Sequence, residues 1–324
     1  AGRYAESISA YRAEQSQLTF KALIEMARLE RQRRQGKSLK TSTIRQEQST
    51  LTLLGEALGH IRVVEMQARD IREYLKSCNS VSTQRNRLNL IRYALQLAVD
   101  DDMVATNVAD AVKLKRESGR LKKSELLAEL IWPFQQQALI DKLLEPGRFN
   151  LSPDKPKLDL LRRQLLLAAY LFALGTGCRL SEQWGVKRVD VSEDRVLISR
   201  SVANEAPKSG DWREVPILPP TAAALRILGR IRAEHPTIAK SEWLLPGEMG
   251  DQRKWSSAPR GWSELLKAAK VGHRNWHWLR HTCATSLLCG WWGEPWSLEQ
   301  VKAILGHASV TTTQVYTRVT IDHL

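Results

Sequence analysis

The chain of 324 residues is long enough for about two domains of ordinary size, and 43% hydrophobic residues exclude a disordered protein. Its formal net charge of +14, +7 from residues 1–120 and +7 from residues 121–324, favours a polyanionic partner, first nucleic acid and less strongly a membrane surface. Four cysteines without CxxC spacing argue against a disulfide framework or a structural zinc site. No apolar run reaches the ~18 residues of a membrane span, so we expect a cytoplasmic protein.

The N-terminal part of the chain is predicted to be all-helical. Residues 1–17 form a leader that is too short for a further domain, and apolar residues then recur at three- and four-residue spacing over residues 18–116. Short hydroxyl side chains mark two helix starts, at Thr41 to Thr43 before IRQEQ and at Ser82 or Thr83 before QRNRLNL. The pattern predicts a small helical bundle that ends in KLKRESGRLKKSE, a segment rich in cations. We expect an exposed linker there, at residues 117–125.

Residues 126–324 are predicted to form a second, mainly helical domain with a small sheet. The run LDLLRRQLLLAAYLFALG is typical of a buried core helix. Two strand-like runs, RVLISRSV and WREVPIL, are separated by the polar segment ANEAPKSGD, which predicts an antiparallel hairpin with an extended tip. Helical patterns then continue to the end of the chain. The predicted fold class is therefore mainly α, with mixed α/β structure in the second domain only.

Candidate catalytic residues follow one another in a fixed order near the C-terminus. HWLRHTCATSLL contains His277 and Arg280, LGHASVTTTQVYTRV contains His307 and Tyr316, and Arg179 lies upstream in TGCRLSE. Two guanidiniums, two imidazoles and a phenol suit an enzyme that attacks a phosphodiester through a tyrosine oxygen. Each residue alone also fits a structural role, such as a core tyrosine or a surface salt bridge.

Together these motifs resemble the tyrosine recombinases, the phage integrase family. The resemblance covers most of the chain and implies a SAM-like core-binding domain at 18–116 and a catalytic domain at 126–324. It implies that Tyr316 is the nucleophile and that Arg179 and Arg280 bind the non-bridging oxygens of the scissile phosphate. Nearby cations are needed because a phenol, with an ordinary pKa of about 10, is mostly protonated at neutral pH.

The resemblance assigns the remaining catalytic roles to His277, His307 and Lys208. Either histidine can be the base, since an imidazole titrates near neutrality. Lys208, at the hairpin tip, is similar to a lysine that protonates the departing 5′ oxygen, although a solvated turn lysine is the alternative. Glu182, in RLSE, is expected to orient Arg179 or the helix start, and His281 to buttress Arg280.

In the first domain the resemblance implies that the helices beginning near Thr43 and Thr83 lie against the major groove of DNA. The cationic residues of these helices are the predicted DNA contacts, namely Arg45, Arg85, Arg87 and Arg92. The sequence does not distinguish arginines that contact phosphates from arginines that contact bases.

The implied function is site-specific recombination through a 3′-phosphotyrosyl intermediate, with integration or excision of a mobile element as the expected task. The expected partners are double-stranded DNA, three further protomers in a homo-tetramer, and accessory DNA-bending or directionality proteins. The expected location is the cytoplasm, in association with the nucleoid. No cofactor, ATP or metal is expected, because the phosphotyrosyl bond stores the energy. The alternatives are a DNA-binding architectural protein that no longer cuts, and a strand-relaxing enzyme of the type IB topoisomerase kind.

Two segments depart from the family pattern. Only TRVTIDHL follows Tyr316, which predicts that cooperation between protomers is weak, uses another surface, or has been lost with a trimmed tail. The segment CGWWGEPWSLEQ enlarges a loop by three tryptophans, for which core packing is favoured over an interface.

Overall fold

The chain divides into two compact units, Ala1–Gly119 and Arg120–Leu324. A computed structural model describes residues 17–35, 41–115, 127–145, 151–152, 154–202, 212–253 and 258–306. The predicted leader lies almost entirely outside these residues, and the predicted linker lies entirely outside them. The domain limits therefore stay predictions.

The first unit is a helical bundle. Its helices are α1 (Phe20–Gln35), α2 (Thr41–Leu58), α3 (Ala68–Lys76) and α4 (Val81–Asp100), with 3-10 turns at Val63–Glu65 and Val108–Ala111. On α1 the buried residues are Phe20, Leu23, Ile24 and Ala27, a spacing of three and four that places them on one helix face. The predicted helical character of this region is confirmed.

One of the two predicted helix starts is a few residues late. Helix α2 begins at Thr41, the first of the residues predicted to mark its start. Helix α4 begins at Val81 and is capped by Ser80, whose hydroxyl accepts a hydrogen bond from the backbone N–H of Thr83 at 3.1 Å. Ser80 has the extended backbone of an N-cap residue, whereas Ser82 and Thr83 already lie inside the helix.

The second unit is mainly helical with one small sheet, which confirms the predicted fold class. Its elements are α5 (Pro133–Leu144), α6 (Pro156–Thr176), α7 (Leu180–Gln183), a 3-10 turn (Arg188–Asp190), β1 (Arg195–Ile198), β2 (Arg213–Pro216), α8 (Pro219–Glu234), α9 (Pro236–Ala239), α10 (Trp262–Ala268), α11 (Trp278–Leu288) and α12 (Leu298–Leu305). The long apolar run predicted as a core helix is α6, which is buried from Leu165 to Thr176. Helices α8 and α11 pack against it. Among the described helices, none is long and apolar enough to cross a membrane.

The predicted hairpin is present as an antiparallel pair of strands. Val196 of β1 lies opposite Val215 of β2, and both are fully buried. Residues 203–211, between the strands, are outside the described part of the chain, and Lys208 is among them.

The tryptophan-rich loop packs onto its own unit. Trp292 and Trp296 lie against the hydrophobic core, and the ring of Trp291 is 5.5 Å from the ring of Trp132. These contacts confirm the predicted core packing of this loop.

Candidate active site

Arg179 is placed by the sharp end of α6. Gly177 follows the helix with a φ of +58°, a left-handed conformation that favours glycine and turns the chain away from the helix axis. A side chain at Gly177 would also meet Leu305 and Cys283, since an added Cβ would lie 2.6 Å from Leu305 Cδ2. The turn places Arg179 at the N-terminus of α7, as predicted, with its side chain 23% exposed.

Glu182 fixes both the backbone and the side chain of Arg179. Its Oε2 accepts a hydrogen bond from the Arg179 backbone N–H at 2.9 Å, and its Oε1 accepts one from Arg179 Nη1 at 2.8 Å. The interpretation that Glu182 orients Arg179 and the helix start is confirmed. A carboxylate held in this way limits the positions open to the Arg179 guanidinium.

The Glu182 side chain is only 1% exposed, yet it stays ionised. Burial alone would raise the pKa of Glu182, but the charge and hydrogen bond of Arg213, with the two hydrogen bonds from Arg179, outweigh it and lower the pKa to about 2. The carboxylate therefore remains charged across the physiological pH range.

Arg280, on α11, joins two distant points of the chain. It is 2% exposed, and its Nη1 donates to the Gly177 carbonyl at 2.7 Å while its Nη2 donates to the Leu305 carbonyl at 2.5 Å. Gly177 precedes Arg179 by two residues, and Leu305 precedes His307 by two residues. The planar guanidinium of Arg280 thus links the segment that carries Arg179, a predicted phosphate ligand, to the end of α12.

Arg213, the first residue of β2, was not predicted as part of the site. It is 8% exposed; its Nη2 donates to Glu182 Oε2 at 2.7 Å and its Nε to the Ile304 carbonyl at 2.6 Å. Its Nη1 is buried and has no hydrogen-bond partner among the described residues. The only signal in the sequence is an arginine directly after the hairpin tip, in a chain with 49 basic residues.

His277 immediately precedes α11 and is exposed. Its ring meets the ring of His281 edge-on, with the centroids 5.2 Å apart, and His281 also lies against Trp278 at 4.6 Å. His281 thus contacts His277 and Trp278, and its predicted role as a buttress of Arg280 stays a prediction. His277 is accessible from solvent at the same helix end as Arg280, three residues away.

Two cysteines are buried next to the arginines. Cys178 directly precedes Arg179 and is 4% exposed, and Cys283, three residues after Arg280, is fully buried. Burial raises the pKa of Cys178 to about 11 and the pKa of Cys283 to about 12. Both are therefore protonated thiols at neutral pH and behave as small apolar side chains.

The structure links Arg280 to the segment of Arg179 through the Gly177 carbonyl, and it places His277 directly before the helix that carries Arg280. The other three predicted catalytic residues, Lys208, His307 and Tyr316, lie outside the described residues. Their roles remain predictions from the sequence.

The four arginines predicted to contact DNA differ in their surroundings. Arg45 and Arg85 are exposed on α2 and α4. Arg87 donates to the Tyr74 hydroxyl at 2.8 Å and stacks over that ring at 5.4 Å. Arg92 donates to the main-chain carbonyls of Ala109 and Val112, the latter at 2.8 Å. Arg87 and Arg92 therefore make contacts within the bundle that the sequence did not reveal.

Comparison with known proteins shows the family of this chain. Residues 159–323 match the model of the phage integrase family, a span that contains all six predicted catalytic residues. The tyrosine recombinase XerD of Mycobacterium leprae is 31% identical over 271 residues, which cover 81% of this chain and 77% of the relative. A lambda integrase dimer bound to a COC′ core site superposes with a TM-score of 0.68 at 16% identity, covering 96% of this chain and 80% of that chain. A lambda integrase tetramer bound to a Holliday junction gives a TM-score of 0.67 at 15% identity, covering 94% and 82%.

The chain belongs to the phage integrase family. It is a tyrosine recombinase, a DNA-binding enzyme that cleaves and rejoins DNA strands in site-specific recombination.

Proposed function

We propose that Arg179, Lys208, His277, Arg280, His307 and Tyr316 carry the strand cleavage of this recombinase. The observation that supports this assignment best is the anchoring of the two arginines. Arg280 binds the carbonyl of Gly177, two residues before Arg179, and Glu182 holds Arg179 itself. Two guanidiniums fixed to one short segment before substrate arrives suit a phosphate whose charge grows in the transition state.

In the proposed reaction the Tyr316 oxygen attacks the phosphorus of the scissile phosphodiester. The bond from phosphorus to the 5′ oxygen breaks, a 3′-phosphotyrosyl bond forms, and Lys208 gives a proton to the departing 5′ oxygen. His277 or His307 hydrogen-bonds the phosphate and accepts the phenol proton. Attack by the 5′ hydroxyl of a partner strand then reverses the step and releases Tyr316.

Access to Arg280 requires a local rearrangement. The residue is 2% exposed, so the atoms that cover it must move aside before a phosphate oxygen can touch the guanidinium. Arg179, with 23% of its side chain exposed, is the first of the two that DNA can reach. We infer that phosphate binding begins at Arg179 and is completed at Arg280.

In the first unit we propose that DNA lies along α2 and α4, with Arg45 and Arg85 as phosphate contacts. A groove of about 320 Å³ between these helices and α1 is lined by Gln46, Thr50, Asn86 and Asn89. Asparagine and glutamine amides pair with adenine in two hydrogen bonds in the major groove. We assign base reading to this groove and a structural role to Arg87 and Arg92.

Replacing Arg85 and Arg92 separately tests this division. Arg85→Ala should weaken binding of any DNA sequence and lower the slope of log K against log salt by about 1, with an unchanged free energy of unfolding. Arg92→Ala should instead lower that free energy by about 1–3 kcal/mol, because two hydrogen bonds to main-chain carbonyls are lost, each contributing about 0.5–1.5 kcal/mol. Salt titrations of DNA binding and urea unfolding of both variants measure the two effects. Equal loss of stability in both variants would contradict the assignment.

We further propose that four protomers act on two duplexes and that the natural task is integration or excision of a mobile element, with accessory DNA-bending proteins. The lambda integrase tetramer on a Holliday junction supports the assembly only through its similar fold. Exchange of strands between two differently labelled duplexes tests the proposal, since a strand-relaxing enzyme would leave the labels unmixed.

The first test of the chemistry is covalent capture. Wild-type protein and Tyr316→Phe are incubated with nicked duplexes of randomised sequence, and DNA that survives boiling in detergent is recovered. We expect retention by wild type alone, because only the tyrosine can form the phosphotyrosyl ester. Sequencing the retained strands reports the recognition site. If neither protein retains DNA while both bind it, the proposed cleavage chemistry is wrong and a binding role remains.

A further inference from the structure

Arg213 contacts two elements that the sequence places far apart. From the start of β2 it reaches Glu182 on α7, 31 residues away, and the carbonyl of Ile304 on α12, 91 residues away. Both contacts are buried, at 2.7 and 2.6 Å. One side chain therefore joins the hairpin, the Arg179 segment and the last turn of α12.

The contact with Glu182 transmits the position of Arg213 to Arg179. Glu182 Oε2 is shared between Arg213 Nη2 and the backbone N–H of Arg179, and Oε1 accepts from the Arg179 guanidinium. If Arg213 moves, the carboxylate loses its strongest opposing charge and the geometry that it imposes on Arg179.

The contact with α12 fixes the backbone that leads to His307. The helix ends at Gly306, which has a φ of +63°, and an added Cβ there would lie 3.1 Å from Arg213 Cδ. Ile304 is bound by Arg213 and Leu305 by Arg280, so two guanidiniums hold consecutive carbonyls at this helix end. His307 is the next residue in the sequence after Gly306.

We propose that Arg213 is a positioning residue for strand cleavage, which links Arg179, through Glu182, to the end of α12, through Ile304. The inference rests on the proposed function, because it assumes that Arg179 and His307 act on the scissile phosphate. This positioning role requires an arginine, because its planar guanidinium donates from separate nitrogens to the Glu182 carboxylate and the Ile304 carbonyl. A lysine carries all its donors on one nitrogen and lacks this geometry. Arg213 acts on the rate of cleavage and leaves DNA affinity unchanged.

The test compares Arg213→Lys with Arg232→Lys in the full chain. Arg232 is the control, because it is partly buried and, like Arg213, donates to main-chain carbonyls, in its case those of Ile238, Trp243 and Leu244, which are not in the site. The probe is a nicked duplex that wild type captures. We measure its Kd, the single-turnover rate of covalent complex formation, and amide exchange over residues 302–306.

For Arg213→Lys we expect a rate about 10- to 100-fold lower, a Kd within about threefold of wild type, and faster amide exchange at the end of α12. Arg232→Lys should keep both rate and Kd. If Arg213→Lys cleaves as fast as wild type, or if the control loses as much, the proposal is overturned.

A second variant, Glu182→Gln, keeps the test decisive if the lysine variant does not fold. Glu182→Gln keeps the shape of the side chain and removes the charge that Arg213 binds, so it should lower the cleavage rate in the same way. Where both variants fold, the double variant should cleave no more slowly than the worse single variant, because both act through one link. If the losses in cleavage rate of the two single variants add up in the double variant, Arg213 does not act through Glu182. If wild type forms no Tyr316-dependent complex on any duplex of the pool, the proposed function fails first and the inference falls with it.

Discussion

Arg280→Lys is expected to lower the rate of covalent complex formation by about 10²- to 10³-fold. Arg280 donates from two nitrogens to the carbonyls of Gly177 and Leu305, and in the proposed reaction its guanidinium also faces the scissile phosphate. A lysine keeps the charge but places all donors on one nitrogen, so it cannot bridge the two carbonyls and also present a fork to the phosphate. The charge alone is therefore insufficient.

The same substitution should lower the free energy of unfolding by about 1–3 kcal/mol, since one buried carbonyl loses its donor. Urea unfolding measures this change, and single-turnover capture of the selected duplex measures the rate. Arg230→Lys, at an exposed position of α8, is the control and should stay within about 0.5 kcal/mol of wild type. A rate for Arg280→Lys within threefold of wild type would show that Arg280 is a structural residue only.

Glu182 should make the protein sensitive to acid. Its pKa is lowered from 4.5 to about 2 in the folded state: burial raises it, but the charge and hydrogen bond of Arg213 and the two hydrogen bonds from Arg179 outweigh burial. A group with a lowered folded pKa stabilises the protein above its unfolded pKa, and this contribution is lost as the pH falls through the folded value. The shift corresponds to about 3 kcal/mol at neutral pH, which should disappear between pH 4.5 and about 2.

Comparison of wild type with Glu182→Gln isolates this contribution. The variant should be less stable than wild type at pH 7, and the difference in the free energy of unfolding should shrink as the pH falls toward 2. Other carboxylates, such as Asp159, titrate in both proteins and cancel in the difference. Urea unfolding at pH 7, 5, 4 and 3 measures it. A difference that does not change with pH would mean that the folded pKa of Glu182 is not lowered.

The sequence predicted those parts of the fold that local patterns encode. The apolar spacing that defines α1 and the long run of α6 follow from helical periodicity, and the hairpin follows from two strand-like runs around a polar tip. The cap of α4 was missed because Ser80, Ser82 and Thr83 have equally suitable side chains, and only the extended backbone of Ser80 decides between them.

The site was predicted where motifs are short and missed where contacts are distant. Arg179 and Glu182 are three residues apart, so one helix turn makes their contact foreseeable. Arg213 gains its role from Ile304, 91 residues later, and Arg92 makes its contacts with carbonyls at least 17 residues later. No local pattern distinguishes these arginines from exposed ones, because their partners are distant in the sequence and are mostly main-chain carbonyls, which carry no sequence signature.

The two buried thiols beside the arginines allow local opening of the core to be measured. Cys178 and Cys283 are almost fully shielded, and burial raises the pKa of each well above neutrality, so an alkylating reagent can modify them only while the surrounding core is transiently open. The rate of their modification thus reports how often the core around Arg179 and Arg280 opens. The measurement needs no substitution and no fluorescent label. A ligand that rigidifies this core is visible as a slower rate, even when no DNA is cut.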